Sequence, residues 1–576
     1  MMRSEGAPLS DQRPTFRELV QAHGGLVFER CPSGATAEAM GGEDASVDLD
    51  DPRLSERPGD LQVHSGSVRP GDLFAALPGL RVDGARFIPD AAQRGAAVIL
   101  MSSQRSVGAV RASIASTPPS VMRQPLEYWQ SPLIWVHPDP KRIIGDLSAD
   151  IHGRPADSLA LAAVTGTNGK TSVVHLGYQL LAASGRAPAI LGTAGHTLRG
   201  PGGPLLLEAT HTTPDAASLQ RLLARHLRGG GDCAVMEASS HALVQGRLGG
   251  LRLAVGAFTN LTRDHLDYHG TMEAYAAAKA KLWDSVEPGG LAVVFGDDGV
   301  ADDMARRAEE RGLRVLRAVV EGEGDLVAKD VRMDERGARF ALFGLCFQGE
   351  EVSLPLRGAH NVENALVAIA IAHSLGATAE DLLRGLGSLS AAPGRLEAVP
   401  LPPRIQDKVG RFDVLVDYAH TPDALERVLG SLRTDMRARA QSRGEDADAG
   451  RLICVFGCGG DRDRGKRLPM GRAVGALSDV AIVTSDNPRG EDPDAIIAAI
   501  AEGLDEVGGR RILEADRRRA IQRALQLAQP GDVVLIAGKG HENTQVIDGR
   551  SLPFDDRVVA AEAFDDLGRD RGEAEA

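Results

Sequence analysis

The sequence predicts an α/β protein in which short buried strands alternate with helices along most of the chain. Continuous apolar runs recur between stretches of helical periodicity, a pattern typical of parallel sheets covered on both faces. The chain has 576 residues, and at roughly 150 residues per domain this length predicts three or four domains. We therefore expect several doubly wound units joined in series.

The composition is that of an ordinary globular protein. Hydrophobic residues make up 43% and charged residues 25% of the chain, which excludes disorder of the whole chain. The net charge is −14. A protein that coats nucleic acid through its overall charge would be basic, so nucleic acid is not a predicted partner.

Cysteine content and hydropathy predict a cytoplasmic protein. The five cysteines form a sparse, odd set, which favours a reducing compartment; they are Cys31, Cys233, Cys346, Cys454 and Cys458. A zinc site at Cys454 and Cys458 would lack a second ligand pair, so both are predicted to be buried small apolar residues. No apolar run reaches the roughly 18 residues of a membrane span. No signal peptide is predicted.

The N-terminal part predicts a small α/β domain behind a variable extension. Residues 1–55 are polar, acidic and rich in Pro and Gly, so they are predicted to be variable or disordered. Residues 56–155 form the predicted domain. It contains a turn at 69–72 and the strand-like run from Leu73 to Leu77, and the stretch from Ser102 to Pro132 is predicted to be a loop insertion.

The segment 156–390 predicts a central domain with a mostly parallel sheet. Its predicted strands are Leu159 to Val164, Cys233 to Met236, Ala254 to Phe258, and Leu291 to Phe295. Its predicted helices are Thr171 to Ala183, Asn361 to Leu375, and Ala379 to Leu386.

The segment 391–576 predicts a C-terminal domain of the Rossmann-like type, with helices between its strands. Its predicted strands are Phe412 to Val416, Leu452 to Phe456, Val480 to Thr484, and Val533 to Ala537. The acidic tail from Asp565 to Ala576 is predicted to be frayed.

A glycine-rich loop in the central domain predicts a nucleotide phosphate site. It follows a strand, opens a helix and consists of Gly166, Thr167, Asn168, Gly169, Lys170 and Thr171. Backbone N–H groups of such a loop wrap a phosphate at the positive end of the helix. Lys170 can reach the terminal phosphates, and the Thr171 hydroxyl can bind Mg²⁺. The standard loop would carry glycine at Val164, so this one belongs to an unusual, shorter subclass of P-loop-like ATPase domains.

Three further residues near strand ends are candidates for metal or catalytic roles. Glu237 ends a buried strand, where its carboxylate could bind Mg²⁺ beside Thr171. His265 lies in the dense polar segment 260–270, and its spacing leaves a metal ligand and a structural histidine equally open. Lys279 lies on the helix after that segment, and composition alone predicts only a solvated lysine.

An ordered set of motifs identifies a resemblance that covers the chain from about residue 60 to its end. The motifs are GTNGKT at 166–171, MEASSHAL at 236–243, TNLTRDHLDYHGTMEAYAAAK at 259–279, HNVENA at 360–365, DYAHTPDAL at 417–425, GCGGDRDRGKR at 457–467, SDNPRGEDP at 485–493 and GKGHE at 538–542. The chain resembles the Mur ligase family of cell-wall synthesis, and most closely its diaminopimelate-adding type. The order of so many motifs makes this resemblance far more specific than any single motif.

The resemblance implies three domains: one that binds the UDP substrate (56–155), a central ATP-binding one (156–390) and a C-terminal amino-acid-binding one (391–576). It implies that ATP phosphorylates the D-Glu side-chain carboxylate of UDP-MurNAc-L-Ala-D-Glu, and that an amine then attacks the acyl phosphate and expels phosphate. Oxide is too poor a leaving group for direct attack on the carboxylate, so cationic groups and two Mg²⁺ ions are expected at the site. The resemblance also implies a monomer.

The resemblance also implies roles for individual residues. Catalytic roles fall on Lys170, Glu237, His265 and Lys279, and Lys279 is expected to be carbamylated by CO₂ to N6-carboxylysine, a metal ligand together with Thr171, Glu237 and His265. Beyond the glycine-rich loop, the ATP-binding residues are Asn361, Asn364, Arg395, Asp417 and His420. The residues that hold the UDP-linked substrate are Ser65, Thr212, Thr213, Ser239, Gln245 and Arg247. Helix capping is a competing role for Asn361 and Asn364.

The segment Asp486, Asn487, Pro488 and Arg489 predicts which amine is added. It resembles the segment associated with meso-diaminopimelate, whose distal end carries a second carboxylate. A guanidinium binds that carboxylate with two hydrogen bonds and repels the bare ammonium of lysine. The other predicted diaminopimelate-binding residues are Arg462, Gly538 and Glu542.

Two departures and three alternatives accompany this interpretation. The family's uridine-side Asp-Ser-Arg is here His64-Ser65-Gly66, and Pro469 stands one position later than usual, which predicts a later first helical turn.

The alternatives are the L-lysine-adding ligase, another Mur or folylpolyglutamate-type amide ligase, and an inactive nucleotide-binding scaffold.

Overall fold

A computed structural model describes residues 13–28, 52–79, 82–102, 132–334, 337–443 and 450–574. Within these ranges three main sheets follow one another along the chain, as the alternating pattern predicts. No helix in the described ranges is both long and apolar enough to cross a membrane.

The helices are numbered in chain order. They are α1 (Phe16–His23), α2 (Ile88–Gln93), α3 (Pro140–Ile151), α4 (Lys170–Ala183), α5 (Ala216–Arg228), α6 (Ser240–Val244), α7 (Leu266–His269), α8 (Met272–Ala280), α9 (Gly299–Glu309), α10 (His360–Ser374), α11 (Ala379–Leu386), α12 (Pro403–Val409), α13 (Pro422–Arg443), α14 (Arg467–Leu477), α15 (Pro493–Glu506), α16 (Arg517–Leu527) and α17 (Asp556–Ala574).

The strands are numbered in the same way. They are β1 (Leu26–Phe28), β2 (Leu61–Gln62), β3 (Leu73–Ala76), β4 (Val98–Ser102), β5 (Leu133–His137), β6 (Ala160–Thr165), β7 (Pro188–Gly192), β8 (Gly195–Gly200), β9 (Gly203–Leu207), β10 (Cys233–Glu237), β11 (Leu253–Phe258), β12 (Val286–Phe295), β13 (Arg314–Val320), β14 (Leu326–Asp334), β15 (Gly337–Gly344), β16 (Phe347–Leu354), β17 (Glu397–Ala398), β18 (Asp413–Asp417), β19 (Leu452–Phe456), β20 (Val480–Val483), β21 (Arg511–Leu513), β22 (Val533–Ala537), β23 (Thr544–Ile547) and β24 (Arg550–Pro553).

The first sheet has the strand order β1-β5-β4-β3-β2 and is parallel except for β1. Strand β1 and helix α1 lie inside residues 1–55, so the prediction that this whole segment is an extension is wrong for its described part. Phe16, Leu19 and Val20 on α1 are buried. A capping box between Thr15 and Glu18 starts the helix, and this signal was present in the sequence.

The central sheet has eleven strands in the order β16-β15-β14-β13-β12-β11-β6-β10-β7-β8-β9. Its middle, from β14 to β7, is parallel, and antiparallel hairpins flank it on both sides. Alternate residues of β6 feed two cores: Ala162 and Val164 pack towards α4 and α10, and Leu161 and Ala163 pack on the other face. The predicted continuous apolar runs are thus strands covered on both faces.

The third sheet has the order β17-β18-β22-β19-β20-β21 and is parallel except for β17. Cys454 and Cys458 are buried among apolar side chains, as predicted. Helix α14 begins at Arg467, so Pro469 lies in its first turn, where a missing N–H is tolerated. Helix α17 continues through Ala574, so the prediction of a frayed tail from Asp565 is wrong for the backbone.

The other strand and helix predictions are confirmed to within a few residues at most ends. The largest difference is β12, which begins at Val286 rather than Leu291. Most of the predicted loop insertion, residues 103–131, lies outside the described residues, as do residues 1–12 and Cys31. The altered segment after β2 forms a short 3₁₀ turn at Ser65–Ser67.

Candidate active site

The candidate site lies at the carboxyl ends of neighbouring parallel strands in the central sheet. Strand β6 lies between β10 and β11, and all three run in the same direction. The glycine-rich loop follows β6, Glu237 ends β10, and Thr259 and Asn260 follow β11. Parallel strands bring their carboxyl ends to one edge of a sheet, which is where ligands bind in this class of fold.

Two glycines give the phosphate loop its conformation. Gly166 and Gly169 have φ values of +150° and +86°. A Cβ atom on Gly166 would lie 1.9 Å from Thr259 Oγ1, and one on Gly169 would lie 2.5 Å from Asn364 Oδ1. Neither position can therefore carry a side chain without displacing its neighbours.

Residues after β11 hold the loop from outside. Asn168 N donates to Asn260 Oδ1 at 2.9 Å, and Thr259 Oγ1 donates to Asn168 O at 2.6 Å. Thr167 N donates to Asn260 O at 2.9 Å. The segment that follows β11 thus fixes the loop against the sheet before any ligand is present.

Lys170 starts helix α4 and turns back over the loop. Its Nζ donates to Gly166 O at 2.9 Å and to Thr167 O at 2.8 Å. Burial lowers the pKa of Lys170, and the Glu237 carboxylate opposes that shift. An ammonium at the positive end of a helix is suited to bind the terminal phosphates of a nucleotide.

Thr171 and Glu237 form a pair of buried side chains beside the loop whose oxygen atoms could serve as metal ligands. Thr171 Oγ1 lies 3.1 Å from each Glu237 carboxylate oxygen. Thr193, which follows β7, donates its backbone N–H to Glu237 Oε1 at 2.7 Å and its hydroxyl to Oε2 at 3.2 Å. Hydroxyl and carboxylate oxygens are hard ligands of the kind that Mg²⁺ prefers.

Five of the residues predicted to hold the UDP-linked substrate form one network that reaches Glu237. Thr213 Oγ1 donates to Glu237 O at 2.8 Å and accepts from Ser239 N at 3.1 Å. Arg247 donates to Thr213 O at 2.7 Å. Two more contacts complete the network: Thr193 Oγ1 lies 3.1 Å from Thr212 Oγ1, whose hydroxyl can donate to it, and Arg247 Nε donates to Gln245 Oε1 at 3.0 Å.

The sixth predicted residue of that group, Ser65, lies in another domain. It is half-buried in the short turn after β2, and the contacts of the described residues do not join it to Thr213 or Ser239. A substrate bound by both groups would have to extend from the first sheet to the central one.

Asn361 and Asn364 lie within the first five residues of α10, and Asn364 Oδ1 lies against Gly169 of the phosphate loop. Asn364 Nδ2 donates to Asn361 Oδ1 at 3.0 Å, and Asn361 Nδ2 donates to Arg357 O at 2.7 Å. Both side chains are largely buried. The N-cap residue of α10 is Ala359, which makes no side-chain capping bond, so the capping role considered from sequence for the two asparagines is wrong. The Asn361 amide instead links Arg357 O to the Asn364 side chain, which lies against Gly169.

The C-terminal domain contributes a cation and a buried carboxylate to the same site. Arg395 Nη2 donates to Thr171 Oγ1 at 3.2 Å, and its guanidinium lies 4.6 Å from the centre of the Tyr418 ring. Asp417 accepts from Leu396 N at 2.7 Å and from Ala419 N at 2.8 Å. Burial raises the pKa of Asp417, against the lowering effect of Arg395.

These side chains surround a cavity of about 310 Å³ between the central and C-terminal domains. Most of the predicted ATP-binding residues line it, and so do Glu237 and His265. The residues in question are Thr167, Asn168, Gly169, Lys170, Thr171, Asn364, Arg395, Asp417 and His420. The cavity therefore brings together residues that are far apart in the sequence.

His265 and Lys279 both lie next to the ring of Tyr275. The ring centres of His265 and Tyr275 are 6.2 Å apart. Lys279 Nζ lies 4.2 Å from the centre of the Tyr275 ring, within cation–π distance. His265 has φ of +54°, an uncommon conformation for a residue with a side chain. Lys279 is 1% exposed, so the solvated lysine predicted by composition alone is wrong. Its pKa is lowered well below the ordinary value by burial and then by Lys170.

The predicted diaminopimelate-binding segment after β20 is tied to the GKGHE segment after β22. Asn487 Nδ2 donates to Glu542 Oε2 at 3.0 Å, and Lys539 Nζ donates to Asn487 Oδ1 and to Glu542 Oε2, each at 3.1 Å. Asp486 Oδ1 lies 3.6 Å from Lys539 Nζ. Gly538, with φ of +117°, lies beside Asp486.

Arg489 is half-buried, and its backbone adopts the left-handed conformation, with φ of +56°. Its side-chain hydrogen bonds within the described part of the chain are all made by Nη1, to Gly460 O at 2.7 Å and Asn487 O at 3.4 Å. Nε and Nη2 are therefore available for a bound carboxylate. Arg462 is exposed, and no contact among the described residues joins it to Arg489.

Four further residues belong to the site: Thr193, Asn260 and Lys539 were not predicted, and Tyr418 lies within the predicted stretch from Asp417 to His420. Thr193 positions Glu237, and Asn260 positions the phosphate loop. The ring of Tyr418 packs against the guanidinium of Arg395. Lys539 forms ion pairs with Asp486 and Glu542. Lys539 lies inside the GKGHE motif, and Asn260 follows a predicted strand, so position in the sequence could have indicated both. Thr193 follows β7, a strand that the sequence interpretation did not include.

Models of three protein domains match the chain in the order of its sheets. The model of the Mur ligase family, catalytic domain, matches residues 61–150. The Mur ligase middle domain matches residues 164–372, and the Mur ligase, glutamate ligase domain, matches residues 394–540.

Relatives along nearly the whole chain carry one name, UDP-N-acetylmuramoyl-L-alanyl-D-glutamate–2,6-diaminopimelate ligase. The protein of that name from Parasynechococcus marenigrum (strain WH8102) is 41% identical over 522 residues, which cover 90% of this chain and 95% of the relative. The one from Synechococcus sp. (strain WH7803) is 42% identical over 513 residues, which cover 88% and 94%. A solved structure of a ligase with this name matches with a TM-score of 0.59 at 34% identity and covers 90% of this chain and 97% of its own.

Proposed function

This chain belongs to the Mur ligase family, and from that membership we propose that it is an ATP-dependent amide ligase of peptidoglycan synthesis. It adds meso-diaminopimelate to the D-Glu side-chain carboxylate of UDP-MurNAc-L-Ala-D-Glu and forms ADP and phosphate. The relatives that carry this name and match about 90% of the chain support the assignment. ATP and the two other substrates are the small-molecule partners, and a monomer in the cytoplasm is proposed.

The observation that carries the proposal is the cavity between the central and C-terminal domains. The phosphate loop, Glu237 and Arg395 converge on it from three different stretches of sequence. Amide ligation through an acyl phosphate needs a nucleotide, a carboxylate and an amine in one enclosed place. A cleft lined by phosphate-binding N–H groups and cations suits the first of its two steps, phosphoryl transfer.

The oxygen donors at Thr171 and Glu237 fit a magnesium ion. Among the described residues there is no group of three or more His, Cys, Asp or Glu side chains that could enclose a metal. That agrees with Mg²⁺, which is usually bound by one or two protein groups and by substrate phosphates. When bound, the ion would neutralise charge on the phosphates during transfer.

Cationic side chains complete the charge balance of the proposed first step. Lys170 exchanges its two carbonyl partners for phosphate oxygens, and Arg395 approaches from the C-terminal domain. The D-Glu carboxylate oxygen attacks the γ-phosphorus, the bond from the γ-phosphorus to the β–γ bridging oxygen breaks, and ADP leaves. The attack of the amine nitrogen on the acyl carbon then forms the amide and expels phosphate, with loss of the amine proton.

We propose that Lys279 is carbamylated. Its burial and its low pKa favour the neutral amine, the form whose lone pair attacks CO₂. The N–C bond forms, one proton is released, and the cation becomes a carboxylate-like anion. Together with His265, that anion would supply the ligands of a second magnesium ion, because both residues border Tyr275.

The proposed amine subsite lies between the segment after β20 and the GKGHE segment. Arg489 has guanidinium nitrogens available for the second carboxylate of diaminopimelate, and Asn487 and Glu542 are held in place by Lys539. L-lysine has no such carboxylate, so the same guanidinium would repel its distal ammonium. The lysine-adding alternative is disfavoured on this ground.

The test is phosphate release measured with every substrate omitted in turn. We expect release only when ATP, Mg²⁺, UDP-MurNAc-L-Ala-D-Glu and meso-diaminopimelate are all present. Release without an amine would indicate ATP hydrolysis rather than ligation. Absence of turnover with the complete mixture would favour the inactive scaffold, and turnover with folate or with D-Ala-D-Ala would favour another amide ligase.

A further inference from the structure

Helix α10 begins beside the phosphate loop without a capping side chain of its own. Its N-terminal flanking residue is Ala359, which has no hydrogen-bonding side chain. Asn361 N and Val362 N bond back to Gly358 O and Ala359 O, each at 2.9 Å. Gly358, which precedes the N-cap residue, is buried, so its N–H needs an acceptor, because an unpaired backbone N–H is costly when buried. The N–H of the exposed Ala359 is one of the first N–H groups of the helix, which have no partner inside it.

Acceptors for both N–H groups come from another domain. Gly358 N donates to Asp435 Oδ2 at 3.0 Å, and Ala359 N donates to Ser431 Oγ at 3.2 Å. Asp435 and Ser431 belong to helix α13 of the C-terminal domain and lie four residues apart, so they share one face of that helix. A carboxylate at this place also interacts favourably with the positive end of α10.

The contact extends along the same face of α13. Arg427, one turn before Ser431, donates to Glu363 Oε2 at 2.6 Å on the first turn of α10. Arg439, one turn after Asp435, donates to Asp413 Oδ2 at 2.8 Å, and Arg357 donates to the same oxygen at 3.2 Å. Residues 427, 431, 435 and 439 thus form one stripe at four-residue spacing, which we call the α13 stripe.

The α13 stripe is connected to the nucleotide cavity through α10. Arg357 O accepts from Asn361, Asn361 accepts from Asn364, and Asn364 Oδ1 lies against Gly169 in the phosphate loop. Asp435 is 2% exposed, so its carboxylate has little water to compensate a lost N–H partner. Movement of the capped segment would therefore move Asn361 and, through it, Asn364, which borders the loop.

We propose that Asp435 and Ser431 are positioning residues for nucleotide binding, which act by capping α10 from the C-terminal domain. Neither residue is placed to touch ATP. The cap sets the position of Asn361 and Asn364, and it ties the ATP affinity of the central domain to the presence of the C-terminal domain at this interface. This inference rests on the proposed function, because it presumes that the cavity binds ATP.

The experiment compares the affinity of full-length variants for a non-hydrolysable ATP analogue with Mg²⁺, by isothermal titration. Asp435→Ala is expected to weaken binding about tenfold, because it leaves the buried N–H of Gly358 without its acceptor. Asp435→Asn should bind within about twofold of the unaltered protein, because the amide oxygen can still accept from Gly358. Thr434→Ala, an exposed position on the same helix, is the matched control and should bind normally.

Steady-state kinetics distinguish positioning from general damage. The KM for ATP should rise in Asp435→Ala, while the KM values for the UDP-linked substrate and for diaminopimelate stay within about twofold. Ser431→Ala, at a half-buried position, is expected to weaken analogue binding two- to threefold and carries the test if Asp435→Ala does not fold.

The outcomes separate this inference from the proposed function. Normal analogue binding by Asp435→Ala, or equal weakening by Asp435→Asn, would overturn the capping role alone. Failure of the unaltered protein to bind the analogue would overturn the proposed function and the inference with it.

Discussion

The hydroxyl of Thr171 lies 3.1 Å from both carboxylate oxygens of Glu237, although 66 positions separate the two residues. Thr171 lies in the first turn of helix α4 and Glu237 ends β10, and the parallel pairing of β6 with β10 brings them together. Both side chains are buried. Thr171 accepts a hydrogen bond from Arg395, and Glu237 accepts one from Thr193 N. The pair is the point at which the central domain, the proposed metal and the C-terminal domain meet.

Removing either oxygen donor of this pair should abolish most activity. Glu237→Gln keeps the shape but removes the charge, and we expect kcat to fall about 100-fold, or about 2.7 kcal/mol in activation free energy. Thr171→Val should have a comparable effect, whereas Thr171→Ser, which keeps the hydroxyl, should retain most activity. Thr197→Val, on β8, is the control. Full activity of Glu237→Gln over a range of Mg²⁺ concentrations would contradict the role.

Arg489 should determine the choice of amine. In Arg489→Lys we expect the KM for meso-diaminopimelate to rise about 10- to 100-fold, because a forked, charge-assisted contact is lost. The KM for ATP should not change. Arg462→Lys, at an exposed position, tests the second predicted partner in the same assay. A larger effect at Arg462 than at Arg489 would show that the carboxylate is bound elsewhere.

Carbamylation of Lys279 can be observed directly. Protein equilibrated with ¹³C-bicarbonate should show a carbamate carbon signal that is absent from Lys279→Ala. We expect Lys279→Ala to lose activity about 100-fold, since a metal ligand is removed. Lys279→Arg keeps the positive charge but cannot form a carbamate, so high activity in that variant would be inconsistent with the modification.

The stability of the protein should fall between neutral and mildly acidic pH. Burial, with a smaller effect of Arg427, lowers the pKa of His360 from 6.5 to about 4. Between those two values the unfolded chain binds a proton that the folded protein does not, so stability rises with pH across this window and is lost as pH falls. We expect His360→Gln to lessen the loss between pH 7 and pH 5 by about 2 kcal/mol.

Thermal unfolding at the two pH values measures this difference. The matched control is His64→Gln, an exposed histidine on the first domain. An identical pH dependence in His360→Gln and the unaltered protein would rule out this contribution of His360.

The ion pair between Arg517 and Asp556 should be essential for the stability of the C-terminal domain. Both side chains are fully buried, with Nη2 of Arg517 at 2.7 Å from Asp556 Oδ2. Arg517 also donates to Ala537 O at 3.0 Å, at the end of β22. Asp556→Ala leaves a buried charge unpaired and should cost about 3–5 kcal/mol. Replacing both residues by apolar ones should cost less, and urea unfolding would show whether it does.

The sequence was sufficient to predict the parts of the site that depend on order along the chain. The phosphate loop and Glu237 each follow or end an element whose type could be recognised from its apolar pattern. The three-domain architecture, Asn364 and the amine-binding segment came from the resemblance; the fold confirms the three domains, and the amine-binding segment stays a prediction. Strand boundaries were predictable because buried parallel strands have abrupt changes from apolar to polar residues.

Contacts between distant elements could not be predicted. Burial of Lys279 depends on how α8 packs, and local composition gave the opposite expectation. The hydrogen bond from Gly358 N to Asp435 depends on how α13 docks against α10, which no local sequence pattern encodes. Helix α1 was missed because its eight residues lie in a polar segment, where three apolar side chains give a weak signal.

The most direct measurement of the central claim is a competition between amines. The protein is incubated with ATP, Mg²⁺, UDP-MurNAc-L-Ala-D-Glu and equal concentrations of meso-diaminopimelate and L-lysine, and the UDP-linked product is identified by mass spectrometry. We predict that the product carries diaminopimelate, with lysine incorporated at least tenfold less. A product that carries mainly lysine would contradict the role of Arg489, and absence of any amide product would contradict the ligase itself.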